Sequence, residues 1–221
     1  MKVQTNKQAT PTLEEEIALF EQGYSFVAGV DEVGRGCLAG PVMAAAVILP
    51  LDDPALTIHL AGARDSKQLT AQARERLYDV IMQYAVATSI GFGSVELIDT
   101  INILQATKHA MYMALGQLAV PAEALLLDAL HLPRLSLPQR SIIKGDVRCL
   151  SIAAASIVAK VTRDRLMLQV HEQYPLYGFD RNKGYGTATH LAALREHGVT
   201  PIHRQSFAPV RELVAGLFTT S

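Results

Sequence analysis

Three apolar runs in this sequence lead into aspartate. Val27-Ala28-Gly29-Val30 runs into Asp31-Glu32, Ala124-Leu125-Leu126-Leu127 into Asp128, and Ile142-Ile143-Lys144-Gly145 into Asp146. An acid that closes an apolar strand lies where an unpartnered charge is costly, so it must be paired, capped or bound to a cation. One such residue is most simply a turn or a helix cap. Three of them, with Glu32 beside the first, point to carboxylates converging on hard cations, for which oxygen donors suit Mg²⁺ or Mn²⁺. Whether the three strand ends are neighbours stays open at the level of sequence.

Gly34-Arg35-Gly36 follows the first acids directly. Its glycines permit positive φ and close approach of backbone N–H groups to a ligand, and the arginine between them could clamp a phosphate; a plain tight turn accounts for the same tripeptide. Asp65-Ser66-Lys67 precedes a helix opening at Thr70, and Lys183-Gly184-Tyr185-Gly186-Thr187 precedes another. Each sets a lysine beside the donors of a helix N-terminus, a place that favours anions. Tyr185, between two glycines, can lie on a sugar or base or pack back on its own domain. Ser156, Lys160 and Arg163 fall at i, i+4 and i+7 of a long helix, so one face offers a hydroxyl and two cations to a phosphate backbone, or to solvent.

The elements that must carry these residues follow from periodicity. Leu13–Gly23 reads as a short amphipathic helix on the domain edge, then Ser25–Asp31 and Pro41–Leu49 as an antiparallel pair of strands separated by Gly34, Gly36 and Gly40. Thr70–Tyr84 is a helix capped by Thr70, Val86–Phe92 a strand, and Val95–Leu118 a helix in two pieces. Glu123–Leu130 and Ser141–Asp146 read as buried strands. Ser151–Tyr174 is a long helix whose early alanines, Ala153, Ala154 and Ala155, permit close packing on a sheet, and it stops before Pro175. Thr187–His197 and Phe207–Phe218 are the last helices. Strands joined by turns, then strands alternating with helices, give an α/β fold: a mixed sheet covered by helices on both faces.

The composition bounds the rest. A chain of 221 residues, 49% hydrophobic and 19% charged, supports one main domain with a real core. Two distant cysteines, Cys37 and Cys149, make neither a disulfide framework nor a zinc site, and a reducing cytoplasm fits them. The polar start, Met1–Thr12, and the lack of an apolar run of about 18 residues argue against secretion and membrane insertion. A net charge of −1 leaves a nucleic-acid partner undecided. Its distribution says more: between Pro133 and Leu166 stand seven cations, from Arg134 to Arg165, against Asp146 and Asp164, a local surplus of five.

Taken in order, Asp31-Glu32-Val33-Gly34-Arg35-Gly36, Asp65-Ser66-Lys67, Ile142-Ile143-Lys144-Gly145-Asp146, Ser151-Ile152-Ala153-Ala154-Ala155-Ser156, Lys183-Gly184-Tyr185-Gly186-Thr187 and Pro201-Ile202-His203-Arg204 resemble the bacterial form of the type 2 ribonuclease H family, ribonuclease HII, from about Gly29 to Val210. The resemblance implies the ribonuclease H-like fold, a five-stranded mixed sheet flanked by helices. It implies an N-terminal segment over 1–24, a catalytic domain over 25–173 and a helical C-terminal extension over 174–221 that contacts substrate. It implies hydrolysis of the phosphodiester 5′ of a ribonucleotide, in RNA/DNA hybrids or in a DNA duplex with embedded ribonucleotides, leaving 3′-hydroxyl and 5′-phosphate ends.

Carried over residue by residue, the resemblance makes Asp31, Glu32, Asp128 and Asp146 the ligands of two divalent cations, Mg²⁺ or Mn²⁺. Gly34, Arg35 and Gly36 become the loop that senses the ribose 2′-hydroxyl, and Tyr185 the ring at the junction; Lys67, Ser156 and Lys160 are further substrate contacts. No extended motif brackets Asp128. Gln68, Asn182 and Gln205 depart from the lysine, histidine and arginine often found at these places. The chain is expected to be a cytoplasmic monomer, and a sliding-clamp partner is not readable. A nuclease or recombinase of the same fold would share the acids but lack the Gly-Arg-Gly and Lys-Gly-Tyr-Gly-Thr segments. A non-catalytic nucleic-acid-binding module would have no need of the acids.

Overall fold

The computed structural model describes residues 10–218. The chain runs α1 (Glu14–Phe20), β1 (Val27–Val33), β2 (Val42–Ile48), α2 (Leu56–His59), α3 (Ala71–Tyr84), β3 (Ala87–Gly93), α4 (Val95–Gly116), β4 (Ala124–Asp128), β5 (Gln139–Ile142), α5 (Leu150–Gln173), α6 (Phe179–Asn182), α7 (Ala188–His197) and α8 (Ala208–Phe218). The strands form one five-stranded sheet in the order β3-β2-β1-β4-β5. β1 pairs parallel with β4, Val30 opposite Leu127, and β4 pairs parallel with β5, Asp128 opposite Ile142. This is the five-stranded mixed sheet with flanking helices that the sequence implies. Every residue of β2 is buried, which is why Val-Met-Ala-Ala-Ala-Val-Ile reads as one apolar run without alternation. Among the described residues no helix is long and apolar enough to cross a membrane.

Local signals hold where a cap or a period defines them. The Thr70 hydroxyl accepts from Ala73 N–H at 3.2 Å and opens α3. α4 is in two pieces: Asn102 breaks it at φ 67°, and the Asn102 Oδ1 accepts from the N–H groups of Leu104 and Gln105, recapping the second piece. The short α2 carries no such signal, its N-cap Ala55 making no side-chain capping bond. The strand expected over Ser141–Asp146 is corrected: β5 ends at Ile142, and Asp146 lies in a single 3₁₀ turn, Gly145–Val147. Lys144 adopts left-handed backbone there, φ 55°, which ends the strand.

The chain divides into two compact units, neither of them continuous in sequence. The first takes the chain up to Asp31, Val47–Thr88 and Val120–Ile157; the second takes Glu32–Ala46, Ser89–Ala119 and the chain from Val158 on. In the first, Leu19, Val27, Ala124, Leu126, Ile142, Cys149 and Ile152 form a core. Gly29 of β1 meets the start of α5 backbone to backbone, since a methyl group there would lie 2.2 Å from the Ser151 carbonyl carbon. Ala153, Ala154 and Ala155, next along α5, are fully buried. Glu16 of α1 is fully buried, its Oε1 accepting from both the N–H and the hydroxyl of Ser151 at 2.7 Å, and burial pushes its carboxyl up from the ordinary range. In the second unit Leu38, Met167, Tyr177, Phe179, Leu194 and Val210 form the core.

Candidate active site

Three of the four acids singled out in the sequence belong to the first unit. Because Val30 stands opposite Leu127 in a parallel pair, the next residues in line are Asp31 and Asp128, at the same end of neighbouring strands. Asp31 is 5% exposed there. The Gly145 N–H donates to Asp128 Oδ1 at 2.8 Å, which draws the 3₁₀ turn bearing Asp146 against the end of β4. A methyl group on Gly145 would stand 2.5 Å from the Ile152 Cδ1, so the end of that side chain would have to shift. Ala129 and Lys144 flank the two aspartates with left-handed φ of 51° and 55°, a conformation that side-chain-bearing residues adopt at a cost.

The carboxylates feel one another. The Asp146 carboxyl is held above its ordinary value by burial first, then by the charges of Asp65 and Asp128, while the Lys67 ammonium pulls the other way. Asp65, Lys67, Gln68, Asp128, Lys144 and Asp146 line one pocket. Asp65 is a carboxylate that reading the strands missed; its signal was the Asp-Ser-Lys motif, read there only for its lysine. It caps the turn Ser66–Gln68, accepting from Lys67 N–H at 3.0 Å and from Gln68 Nε2 at 3.2 Å, which gives the departure at Gln68 a local role. Ser156 is 5% exposed and its hydroxyl bonds that of Ser66 at 3.0 Å, so it ties α5 to this turn.

Hard divalent cations fit this chemistry. The acidic donors are carboxylate oxygens, and the burial and neighbouring acids that raise Asp146 both disfavour a charge that a cation would offset. Among the described residues no group of three or more histidine, cysteine, aspartate or glutamate side chains is placed to hold a metal ion.

The second unit carries the other candidates. Glu32 Oε1 accepts from Arg35 Nη1 at 3.0 Å, so the arginine between the glycines answers the neighbouring acid. Gly34 has φ 87°, open to glycine, and a methyl group on it would collide with the Arg163 guanidinium. Tyr185 bridges Cys37 backbone to backbone, and burial raises its phenol. Lys160 pairs with Asp164 at 2.7 Å, its ammonium 6.0 Å from the Tyr185 ring centroid. Lys183 donates to the Asp180 carbonyl, and Asn182 braces the same loop, its Oδ1 accepting from Gly184 N–H at 2.8 Å. Arg163, grouped in the sequence with Ser156 and Lys160 as a backbone-tracking cation, is instead fully buried and bonded to main-chain carbonyls. A helical face of cations does not reveal which of them points inward.

Two histidines hold the Tyr185 loop from behind. Thr200 N–H donates to His203 Nδ1 at 2.9 Å, which leaves the proton on His203 Nε2; that nitrogen faces His190 Nε2 at 3.1 Å, so His190 carries its proton on Nδ1 and donates to the Tyr185 carbonyl at 2.9 Å. Both rings are neutral in this arrangement.

The profile of the family described as Ribonuclease HII matches residues 28–210. The chain belongs to the ribonuclease HII family. It is 56% identical to the ribonuclease HII of Halalkalibacterium halodurans over 197 residues, 89% of this chain and 73% of that one. Among solved structures, the ribonuclease H2 of Pyrococcus horikoshii OT3 superposes with a TM-score of 0.71 at 25% identity, covering 89% of this chain and 100% of that chain. The ribonuclease HII in the PCNA:RNase HII complex of Archaeoglobus fulgidus superposes with a TM-score of 0.68 at 27% identity, covering 82% and 95%. As a ribonuclease HII the chain is a metal-dependent endoribonuclease of the ribonuclease H class, and its sheet is the ribonuclease H-like fold.

Proposed function

We propose that this ribonuclease HII hydrolyses the phosphodiester 5′ of a ribonucleotide in RNA/DNA hybrids and in DNA duplexes with embedded ribonucleotides, leaving 3′-hydroxyl and 5′-phosphate ends, with Asp31, Glu32, Asp128 and Asp146 as ligands of two divalent cations. The observation that carries the reading is geometric: Asp31 and Asp128 follow the paired Val30 and Leu127 at the same end of adjacent parallel strands, and the Gly145 N–H on Asp128 Oδ1 draws the turn bearing Asp146 to that end. Two such ions, Mg²⁺ or Mn²⁺, supply an activated water and neutralise the departing 3′-oxygen. The protein then needs to hold carboxylates and present cations to phosphates. Lys67 and Lys144 line the same pocket as Asp128 and Asp146 and serve the second task.

Gly34, Arg35 and Gly36 are the loop that reads the 2′-hydroxyl, and Tyr185 the ring at the junction, with Lys160 beside it. Stacking of an aromatic ring is worth roughly 1 to 3 kcal/mol per contact, enough to place one sugar. Ser156 acts on substrate through the Ser66–Lys67 turn, its own hydroxyl being turned to Ser66. The test is a nicking assay on a duplex carrying one ribonucleotide, with Mg²⁺, Mn²⁺ or chelator. One cut 5′ of the ribonucleotide is expected with either ion, none with chelator, and a collapse of rate in Asp31→Asn and Asp146→Asn. Near wild-type cleavage by both variants would overturn the ligand assignment.

A further inference from the structure

Arg163 and Arg204 are the two largest fully buried side chains, both 0% exposed, and both spend their guanidinium donors on main-chain carbonyls. Arg163 donates to Pro41 O (3.0 Å), Lys183 O (2.8 Å) and Ala39 O (3.0 Å). Arg204 donates from Nε and Nη2 to Gly40 O (2.9 and 2.8 Å), from Nη2 to Gly34 O (2.7 Å) and from Nη1 to Arg35 O (2.9 Å). Burying a cation is costly unless its donors are met, so a guanidinium placed here compels the carbonyls around it to turn inward. Burial lowers Arg204 to about 10, which leaves it charged at neutral pH.

Peptide planarity carries this one step further. In a trans peptide the C=O and the following N–H point in opposite directions. With the Gly34 and Arg35 carbonyls turned onto Arg204, the N–H groups of Arg35 and Gly36 face the other way, and both residues are exposed. The third captured carbonyl, that of Gly40, precedes Pro41, which has no N–H to present. The capture therefore selects two successive outward donors, an arrangement suited to an electron-rich oxygen.

We infer that Arg204 is a positioning residue for sugar recognition, its guanidinium fixing the Gly34 and Arg35 carbonyls inward so that the Arg35 and Gly36 N–H groups are presented to the oxygen of a ribose 2′-hydroxyl. The inference rests on the reading of Gly34-Arg35-Gly36 as the sugar-sensing loop and names what shapes it. A lysine cannot replace it, because an ammonium is a point charge without the planar fork that reaches three carbonyls at once. Phosphate contacts, which supply most of the affinity for any duplex, do not involve Arg204 and should not change with it.

The experiment compares binding, in chelator, of a duplex with one ribonucleotide and the same duplex in all-DNA form, for the wild type, Arg204→Lys and Gly36→Ala. A methyl group on Gly36 meets nothing within 4 Å, so that variant keeps the fold and alters only what the loop presents. The expected result is a wild-type preference for the ribonucleotide duplex that falls roughly fivefold to tenfold in Arg204→Lys, the worth of one or two neutral hydrogen bonds, with all-DNA affinity unchanged within about twofold. A folded Arg204→Lys that keeps the preference while Gly36→Ala loses it overturns the role of Arg204 alone. Full preference in Gly36→Ala, or no preference in the wild type, overturns the loop reading and this inference with it. Should Arg204→Lys fail to fold, amide NMR of the wild type decides: the Arg35 and Gly36 signals must shift with the ribonucleotide duplex and stay in place with all-DNA, and two unresponsive amides refute the proposal.

Discussion

Asp146 holds its proton more tightly than an ordinary aspartate because burial and the neighbouring Asp65 and Asp128 both disfavour its charge. Removing the charge should cost activity and relieve the metal-free fold at the same time. In thermal melts without metal, Asp146→Asn is expected to unfold at a higher temperature than the wild type. Saturating Mn²⁺ should reverse the order: an ion at a hundred times its Kd stabilises the folded state by about 2.7 kcal/mol, and the variant should lose most of that gain. Equal shifts on adding Mn²⁺ to both proteins would remove Asp146 from the ligand set. At this scale the acids were legible in the sequence because each follows an apolar run. Asp65 was not, since nothing local marks a capping residue as a neighbour of an acid some eighty positions away; only the fold sets them together.

The packing of β1 on α5 turns on Gly29, whose missing side chain lets the strand touch the Ser151–Ile152 backbone. Main chain cannot move aside as a flexible side chain can, so Gly29→Ala is expected to destabilise the protein by roughly 2 to 4 kcal/mol, more than a typical point change. Urea unfolding checks this, and a loss below about 1 kcal/mol would mean that β1 shifts freely. The alanines on the helix side of this contact were legible as a run, and the helix was expected to lie close to a sheet. Its partner glycine was not, because Val-Ala-Gly-Val reads as an ordinary strand. The end of β5 was misread for a related reason: Ile142-Ile143 is apolar enough to continue a strand, but Ile143 is 73% exposed and the left-handed Lys144 turns the chain away. Helices with a capping hydroxyl, such as α3 and α7, matched their expected starts within one residue because the cap is itself the physical boundary.

Over the whole molecule, stability should depend on pH through the buried histidine pair. Burial first, then His190, lowers His203 to about 4, and burial lowers His190 as well. The unfolded chain therefore binds more protons than the folded one between about 4 and the ordinary 6.5, so stability is complete above that window and is lost as pH falls through it. For His203 the interval corresponds to roughly 3 kcal/mol at most. Glu16, whose carboxyl is raised by burial, acts with the opposite sign, but it is common to both proteins in a comparison of the wild type with His203→Gln. The expected outcome is a shallower fall of unfolding free energy from pH 6.5 to 4.5 in the variant; parallel slopes would place the titration elsewhere. His203 was legible only as a member of the Pro-Ile-His-Arg motif, and His190 was not singled out at all. Their pairing joins α7 to the segment after it and depends on tautomers that no sequence pattern records.

The bond between Glu16 and Ser151 spans 135 residues, and the parallel pairing of β1 with β4, Val27 opposite Ala124, is also long-range. A ribosome adding about 5 to 20 residues per second needs roughly 7 to 27 s to travel from one member of the Glu16–Ser151 pair to the other. During that time the nascent chain carries a carboxylate destined for burial and a strand edge with no neighbour on that side, and nothing yet synthesised can satisfy either. The N-terminal third of this enzyme thus waits, exposed to association with other chains, for the middle of its own sequence to emerge. Slow translation upstream of codon 124 should lower the yield of folded protein more than slow translation beyond codon 157.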